Sequence, residues 1–294
     1  MISVVVPAYN EQAVIERCLH TLTKGAPAGG LEVVVVANGC RDRTAEVARG
    51  VAGPIRVLST PVGSKTVALN MGDEAVSGFP RFYVDADVVV SYDDLAAVAR
   101  EMEQSGKPVG APRLRMVLDA SSWGVRAYYA VWLRLSFHQA GMIGCGVYGL
   151  TREGRQRFGE FPDVVADDAY VRCLFVDAER ARPANAFVAV RGPSTLRDLI
   201  KIKTRSRLGL SQLRERYPER FRTGLKKDRL FFKSLLPRPW LWPAAAVYLY
   251  VNLVTRRRAR RQQRAMTDYQ WERDESTRQD ANGTSTPAST QPSA

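Results

Sequence analysis

"ISVVVPAYNEQAVIERCLHTLTKG" (residues 2–25), followed by "LEVVVVANG" (31–39), decides how this chain folds. It opens with an apolar, β-branched run that stops near Pro7, the pattern of a buried strand. Ala13, Val14, Cys18, Leu19 and Leu22 then recur at helical spacing before Gly25. A second β-branched run ends at Asn38-Gly39. Near-continuous apolar strands separated by an amphipathic helix predict a βαβ unit and a mostly parallel sheet.

The alternation continues. "DRTAEVARGV" (42–51) reads as helix, "IRVLST" (55–60) as strand, "SKTVALNMGDEAV" (64–76) as helix and "RFYVDADVVV" (81–90) as strand. Sheets of this kind bind ligands at the carboxyl ends of their strands. The polar clusters "PAYNE", "ANGCRD" and "DAD" all fall there. Farther on, "SSWGVRAYYAVWLRLSF" (121–137) predicts an aromatic helix and "GMIGCGVYG" (141–149) a glycine-rich turn or strand. In "FPDVVADDAYVRCLF" (161–175), two adjacent aspartates open a helix. No internal repeat is present.

Composition sets the class. The chain has 294 residues, 45% hydrophobic and 25% charged, as in soluble globular proteins. Cys18, Cys40, Cys145 and Cys173 form no CxxC pair and no zinc-like spacing, so reduced thiols are expected. "MISVVVPAYN" enters the apolar run with no basic leader and no small-residue cleavage site, which predicts a core strand and a cytoplasmic location.

The net charge of +13 is localised. Residues 1–200 carry 22 basic and 22 acidic side chains, whereas residues 201–264 carry 19 basic against 3 acidic. Three regions are expected: a catalytic domain over 1–200, a basic amphipathic and hydrophobic helical region over 201–264, and a disordered Ser/Thr/Gln/Pro-rich tail over 265–294. Trp240 to Val254 is apolar apart from Asn252 and contains Pro243. It falls short of the roughly 20 residues that a spanning helix needs. Flanking tryptophans, Arg256, Arg257, Arg258, Arg260 and Arg261, and the basic amphipathic "LKKDRLFFKSLL" (225–236) suit an anionic headgroup interface. The expectation is monotopic attachment at the cytoplasmic face of the cell membrane. The alternatives are a core helix with a solvated basic end, and a tilted span.

Two carboxylates inside an apolar run need partners. On a strand, Asp85 and Asp87 would face the same way, and a hard divalent cation bridging to substrate phosphates would suit them. A turn or helix-cap pair is the plainer reading. "GSKTVALN" (63–70) lacks the upstream glycine of a phosphate-binding P-loop, so Lys65 is either a nucleotide contact or a solvated lysine opening a helix.

Five stretches in order, "VVVPAYNE" (4–11), "VVVVANGCRDRT" (33–44), "GSKTVALN" (63–70), "YVDADVVV" (83–90) and "VVADDAYV" (164–171), resemble the family 2 glycosyltransferases of the GT-A fold. The resemblance implies an α/β, Rossmann-like, mostly parallel sheet flanked by helices, with a C-terminal basic and hydrophobic helical extension. It also implies an inverting, metal-dependent enzyme that moves a sugar from a nucleotide-diphosphate donor to a hydroxyl acceptor. The acceptor could be lipid-linked, in polysaccharide or glycolipid synthesis of the cell envelope. Pro7, Tyr9 and Glu11 would lie under the nucleobase and ribose, Asn38 would meet the base edge, and Lys65 the base or diphosphate. Asp85 would contact the ribose, and Asp87 would hold Mn²⁺ or Mg²⁺ on the diphosphate. Asp168 would be the catalytic base, and Asp167 an acceptor-binding or orienting residue, or a helix N-cap. Gly144 and Gly146 would form an acceptor wall, with His138 a lesser candidate.

Three departures from the family stand out. Ala37-Asn38 occupies the place of two acidic residues, leaving Asp42 to cap the next helix or to contact nucleotide. Asp167-Asp168 replaces Glu-Asp. The later Arg-containing motif that ends in tryptophan has no clean counterpart, and Arg205 and Arg207 in "KTRSRLG" are its substitutes as diphosphate-binding cations. Two rivals remain at this point. A sugar-phosphate nucleotidyltransferase would want a glycine-rich basic turn that "PAYNEQAV" lacks. A nucleic-acid-binding protein would use the basic region, but tryptophans beside that charge favour lipid, so no nucleic-acid partner is expected.

Overall fold

The computed structural model describes residues 1–135, 144–219 and 238–265. In chain order the elements are β1 (Ile2–Ala8), α1 (Ile15–Thr23), β2 (Leu31–Asn38), α2 (Thr44–Gly50), β3 (Ile55–Thr60), α3 (Lys65–Ala75), β4 (Arg81–Val84) and α4 (Tyr92–Ser105). There follow β5 (Val109–Gly110), β6 (Arg113–Val117), α5 (Trp123–Trp132), β7 (Val147–Leu150), α6 (Arg152–Arg155) and α7 (Asp167–Cys173). The last are β8 (Arg180–Ala181), β9 (Phe187–Arg191), α8 (Leu196–Arg216) and α9 (Trp242–Ala265).

Seven strands form one sheet in the order β3-β2-β1-β4-β7-β5-β8. All neighbours run parallel except β7, which is antiparallel to β4 and to β5. The expected α/β architecture is therefore present. The period of two explains its layers: Val4 and Val6 join Ile15, Leu19, Leu95 and Val98 on one face, while Val5 joins Ala68 and Leu69 on the other. Each fully buried valine or leucine contributes about 1.5–3 kcal/mol relative to exposure. Ala13, read as part of the apolar face of α1, is exposed and precedes that helix.

Parallel pairing of β1, β2 and β4 brings their carboxyl ends to one edge. The strand expected over 81–90 is shorter. It ends at Val84: the Asp85 amide still donates to the Gly146 carbonyl across from β7 at 2.7 Å, but the Val88 amide turns the chain back to the Asp85 carbonyl at 3.3 Å. Asp85 and Asp87 thus sit in a turn and not on a strand face, as the alternation of side chains had suggested.

A second, two-stranded parallel sheet pairs β6 with β9. It is held to the main body by the Val89–Ala189 bridge and by Asp94, which accepts from the Phe187 amide at 2.8 Å. Helix α8 runs unbroken through residue 200, the boundary expected between catalytic domain and extension. Its Leu199 and Ile200 pack with Val125, Tyr128 and Val251 of α5 and α9, and its Leu213 packs against the sheet layer containing Val164 and Tyr170.

Helix α9 buries Val251, Thr255 and Ala259. Its other side exposes Trp242, Leu249, Tyr250 and Leu253, continued by exposed Arg256, Arg257, Arg260 and Arg261. Among the described residues, no helix is long and apolar enough to cross a membrane. The amphipathic helix expected over 225–236, His138, and the tail beyond 265 lie outside the described residues.

Candidate active site

The loops after β1, β2, β3 and β4 meet over a cavity of about 460 Å³. Asn10 turns the β1 loop through a positive φ of 51°, which asparagine tolerates, and its Oδ1 accepts from the Arg41 amide. Gly39 is required beside it. A Cβ there would lie 2.6 Å from Gly63 Cα and 3.4 Å from the Tyr9 ring, so the two loops close only through bare backbone. Pro7, Tyr9, Glu11 and Asn38 all line this cavity.

Their tasks differ. Asn38 is buried and its Nδ2 donates to the Ala8 carbonyl at 2.9 Å, tying together the ends of two strands. Asp42 accepts from the Thr44 amide at 3.0 Å at the start of α2, and so serves as a helix-start acceptor.

Lys65, the first residue of α3, is at the centre of the charge balance. Its Nζ lies 2.7 Å from Asp85 Oδ1 and 3.0 Å from Asp167 Oδ1. Burial alone would lower its pKa, but the carboxylates of Asp167, Asp85 and Asp168 outweigh that and push it up. Asp167 is 3% exposed, and burial raises its carboxyl to about 6, against the pull of Lys65 and with the push of Asp168 and Asp85. Asp167 is the first residue of α7, whose N-cap is Ala166, so it does not cap the helix. Its partner is Lys65.

A second cavity of about 500 Å³ adjoins the first. Asp85, Asp87, Asp168 and Arg205, together with Ala166 and Ser206, line both and make up the partition between them. Gly144 and Gly146 line the second cavity. A Cβ on Gly144 would lie 3.0 Å from Asp168 Oδ2, and one on Gly146 3.4 Å from Asp85 Oδ2. The two expected diphosphate cations part company. Arg205 stands at the partition, whereas Arg207 lines only the second cavity and donates to Thr255 Oγ1 at 2.9 Å and to Asn252 on α9.

Sequence reasoning missed Lys203 and the rings of Tyr128, Tyr129 and Trp132, which line the second cavity. "YYAVW" was visible as an aromatic helix, but nothing local to it indicates which helix will cover it.

The cysteines carry no chemistry here. None of the four forms a disulfide. Burial pushes Cys18 and Cys145 up to about 12, and neighbouring carboxylates (Asp87 beside Cys18, Asp168 beside Cys145) add to the rise.

A divalent cation at the partition would draw oxygen ligands from Asp87 and from a bound diphosphate. Among the described residues, no three His, Cys, Asp or Glu side chains cluster as a complete metal cage. One or two carboxylates completed by substrate oxygens are a donor set that suits Mg²⁺ or Mn²⁺, so the residues present fit.

Residues 3–146 match the family model described as Glycosyl transferase family 2. This region belongs to glycosyltransferase family 2. The family match ends before Asp167, Asp168 and Arg205, whose place at the site rests on geometry alone. This family 2 chain is 32% identical over 108 residues to the uncharacterized glycosyltransferase EpsJ of Bacillus subtilis, covering 36% of this chain and 31% of that one. It is 30% identical over 157 residues to a dolichyl-phosphate beta-glucosyltransferase of Drosophila melanogaster, covering 47% of each. The chain thus spans under half the length of these relatives.

Among solved structures, the mannosyltransferase PcManGT of Pyrobaculum calidifontis, in complex with GDP-Man and Mn2+, superposes with a TM-score of 0.59 at 23% identity, over 85% of this chain and 74% of that one. Glucosyl-3-phosphoglycerate synthase of Mycobacterium tuberculosis gives 0.53 at 21% identity, over 77% and 81%. These likenesses establish the shared GT-A fold of the family 2 chain.

Proposed function

We propose that this protein transfers a sugar from a nucleotide-diphosphate donor to a hydroxyl acceptor with inversion, aided by Mn²⁺ or Mg²⁺, at the cytoplasmic face of a membrane. The reading is carried by the partition of Asp85, Asp87, Asp168 and Arg205 shared by two cavities. Membership of glycosyltransferase family 2 favours sugar transfer over nucleotidyl transfer.

In this reading the first cavity takes the donor. Tyr9 stacks on the base beside Pro7 and Asn38, while Glu11 and Asp85 accept from ribose hydroxyls. Lys65 and Arg205 offset the negative charge of the diphosphate. A cation held by Asp87 would act as a Lewis acid and neutralise charge on the departing diphosphate.

The second cavity takes the acceptor, with Gly144 and Gly146 letting it approach Asp168 closely. Asp168 removes the hydroxyl proton as the acceptor oxygen attacks the anomeric carbon. The bond from that carbon to the diphosphate breaks on the opposite face, and its electron pair leaves with the diphosphate. Asp167, through Lys65, positions the acidic wall.

The outward face of α9 supports attachment to an anionic membrane, since exposed Trp242, Leu249, Tyr250 and Leu253 precede exposed arginines. A lipid-linked acceptor in glycolipid or polysaccharide synthesis accords with that placement. Flotation with anionic vesicles should carry the wild-type chain and leave a Trp242→Ser, Leu253→Ser variant behind.

The direct test is a screen of nucleotide sugars for thermal stabilisation with and without Mn²⁺ or Mg²⁺. One donor should raise the melting temperature only with metal, and Asp87→Ala should abolish that dependence. Metal-dependent stabilisation that survives in Asp87→Ala would sink the metal assignment.

A further inference from the structure

The lining of the second cavity includes two cations with no acidic partner among the described residues. Lys203 and Arg207 are four residues apart on α8 and share one face of it. Lys203 Nζ sits 4.2 Å from the centre of the Trp132 ring and 5.5 Å from those of Tyr128 and Tyr129. Arg207 is fixed by the neutral Thr255 and Asn252. Among the described residues, no carboxylate pairs with either.

The contrast with Lys65, gripped by two aspartates, is plain. Burial, with Arg207 adding to it, pulls Lys203 down to about 7. Holding two such charges side by side in a shielded cleft is costly unless an anion arrives to pair with them. The rest of the wall includes Leu114, Met116, Val190 and Tyr248, which offer an apolar surface beside the cations.

We propose that the acceptor carries a phosphate group, seated on Lys203 and Arg207, with an apolar portion laid along the Trp132 and Met116 side of the cavity. The phosphate is a handle, and the attacking hydroxyl lies toward Asp168. This assigns Arg207 to the acceptor and leaves Arg205 for the donor diphosphate. The inference rests on the glycosyl-transfer reading of the site.

Isothermal titration of the full chain with farnesyl phosphate, farnesol and glycerol 3-phosphate tests it, with nucleoside diphosphate and Mn²⁺ as a separate titration. Farnesyl phosphate should bind at least about tenfold more tightly than farnesol, and Lys203→Met or Arg207→Gln should each remove about tenfold of that preference. Nucleoside diphosphate binding in the same variants should stay unchanged, which also shows that they fold. Binding of glycerol 3-phosphate as tight as that of farnesyl phosphate keeps the phosphate subsite but overturns the apolar portion, making the acceptor a soluble phosphate. Equal binding of farnesol and farnesyl phosphate, or a preference that survives both substitutions, overturns the proposal. Failure of the glycosyl-transfer reading would look different: wild-type protein would bind no nucleoside diphosphate at all.

Discussion

The two cavities meet at one wall yet balance charge in opposite ways. In the first, the charges are paired within the protein: Lys65, at the start of α3, sits between Asp85 in the turn after β4 and Asp167 at the start of α7. In the second, helices α5, α8 and α9 supply rings and cations, and Lys203 rests on aromatic faces. A self-compensated site can hold its shape without ligand, whereas a site of unmatched cations is completed by what it binds. The partition belongs to both, which makes it the place where chemistry can pass from one chamber to the other.

Substitutions can break this comparison. The largest effect is expected at Asp168, which faces both chambers. Asp168→Asn should lower kcat by roughly a thousandfold, with donor binding left within about twofold. Steady-state kinetics with both substrates varied would read this, and full turnover would place the base elsewhere.

Tyr9 belongs to the first chamber alone. Tyr9→Ala should raise the donor KM by about tenfold, the order expected for a lost base stack, and should leave the acceptor KM unchanged. Equal changes in both would mean that the chambers are not separate binding sites.

The smallest effect is on stability. Burial raises Asp167 from 3.8 to about 6, so the native chain binds its proton before the unfolded chain does. Its contribution is therefore fully present at the acid end and is lost as pH rises from 3.8 to about 6. Urea unfolding across that window should show a downward slope for wild type relative to Asp167→Asn. Parallel profiles would mean that Asp167 titrates normally.

How much of this could be read from sequence depends on how local each determinant is. β1, α1 and β2 follow from apolar runs and one helical stripe, and the acidic pairs at 85, 87 and 167–168 fall near element ends that the same patterns mark. The antiparallel entry of β7 between β4 and β5 is not visible, because it depends on pairing Val84 with Val147, residues distant in sequence. The β6–β9 sheet was missed for the same reason. Asp85 and Asp87 were placed on a strand because "DADVVV" continues an apolar run, and only the bond from the Val88 amide back to the Asp85 carbonyl shows that it turns. Lys203 lay within a basic stretch that looked like one surface, and Arg207 was read with Arg205 as a diphosphate-binding cation. The position of Arg207 is set by α9, whose Asn252 and Thr255 sit more than 40 residues away, and that of Lys203 by the rings of α5.

Helix α8 also has a practical consequence. Since it passes through residue 200 and anchors both the sheet layer and α9, the tip and the root of this molecule cannot be trimmed apart there. A shortened chain ending at 200 would lose Leu208 and Leu213 from its interior and Arg205 from the partition. Anyone grafting the C-terminal segment onto a relative should place the seam beyond Arg216, so that the helix is inherited whole.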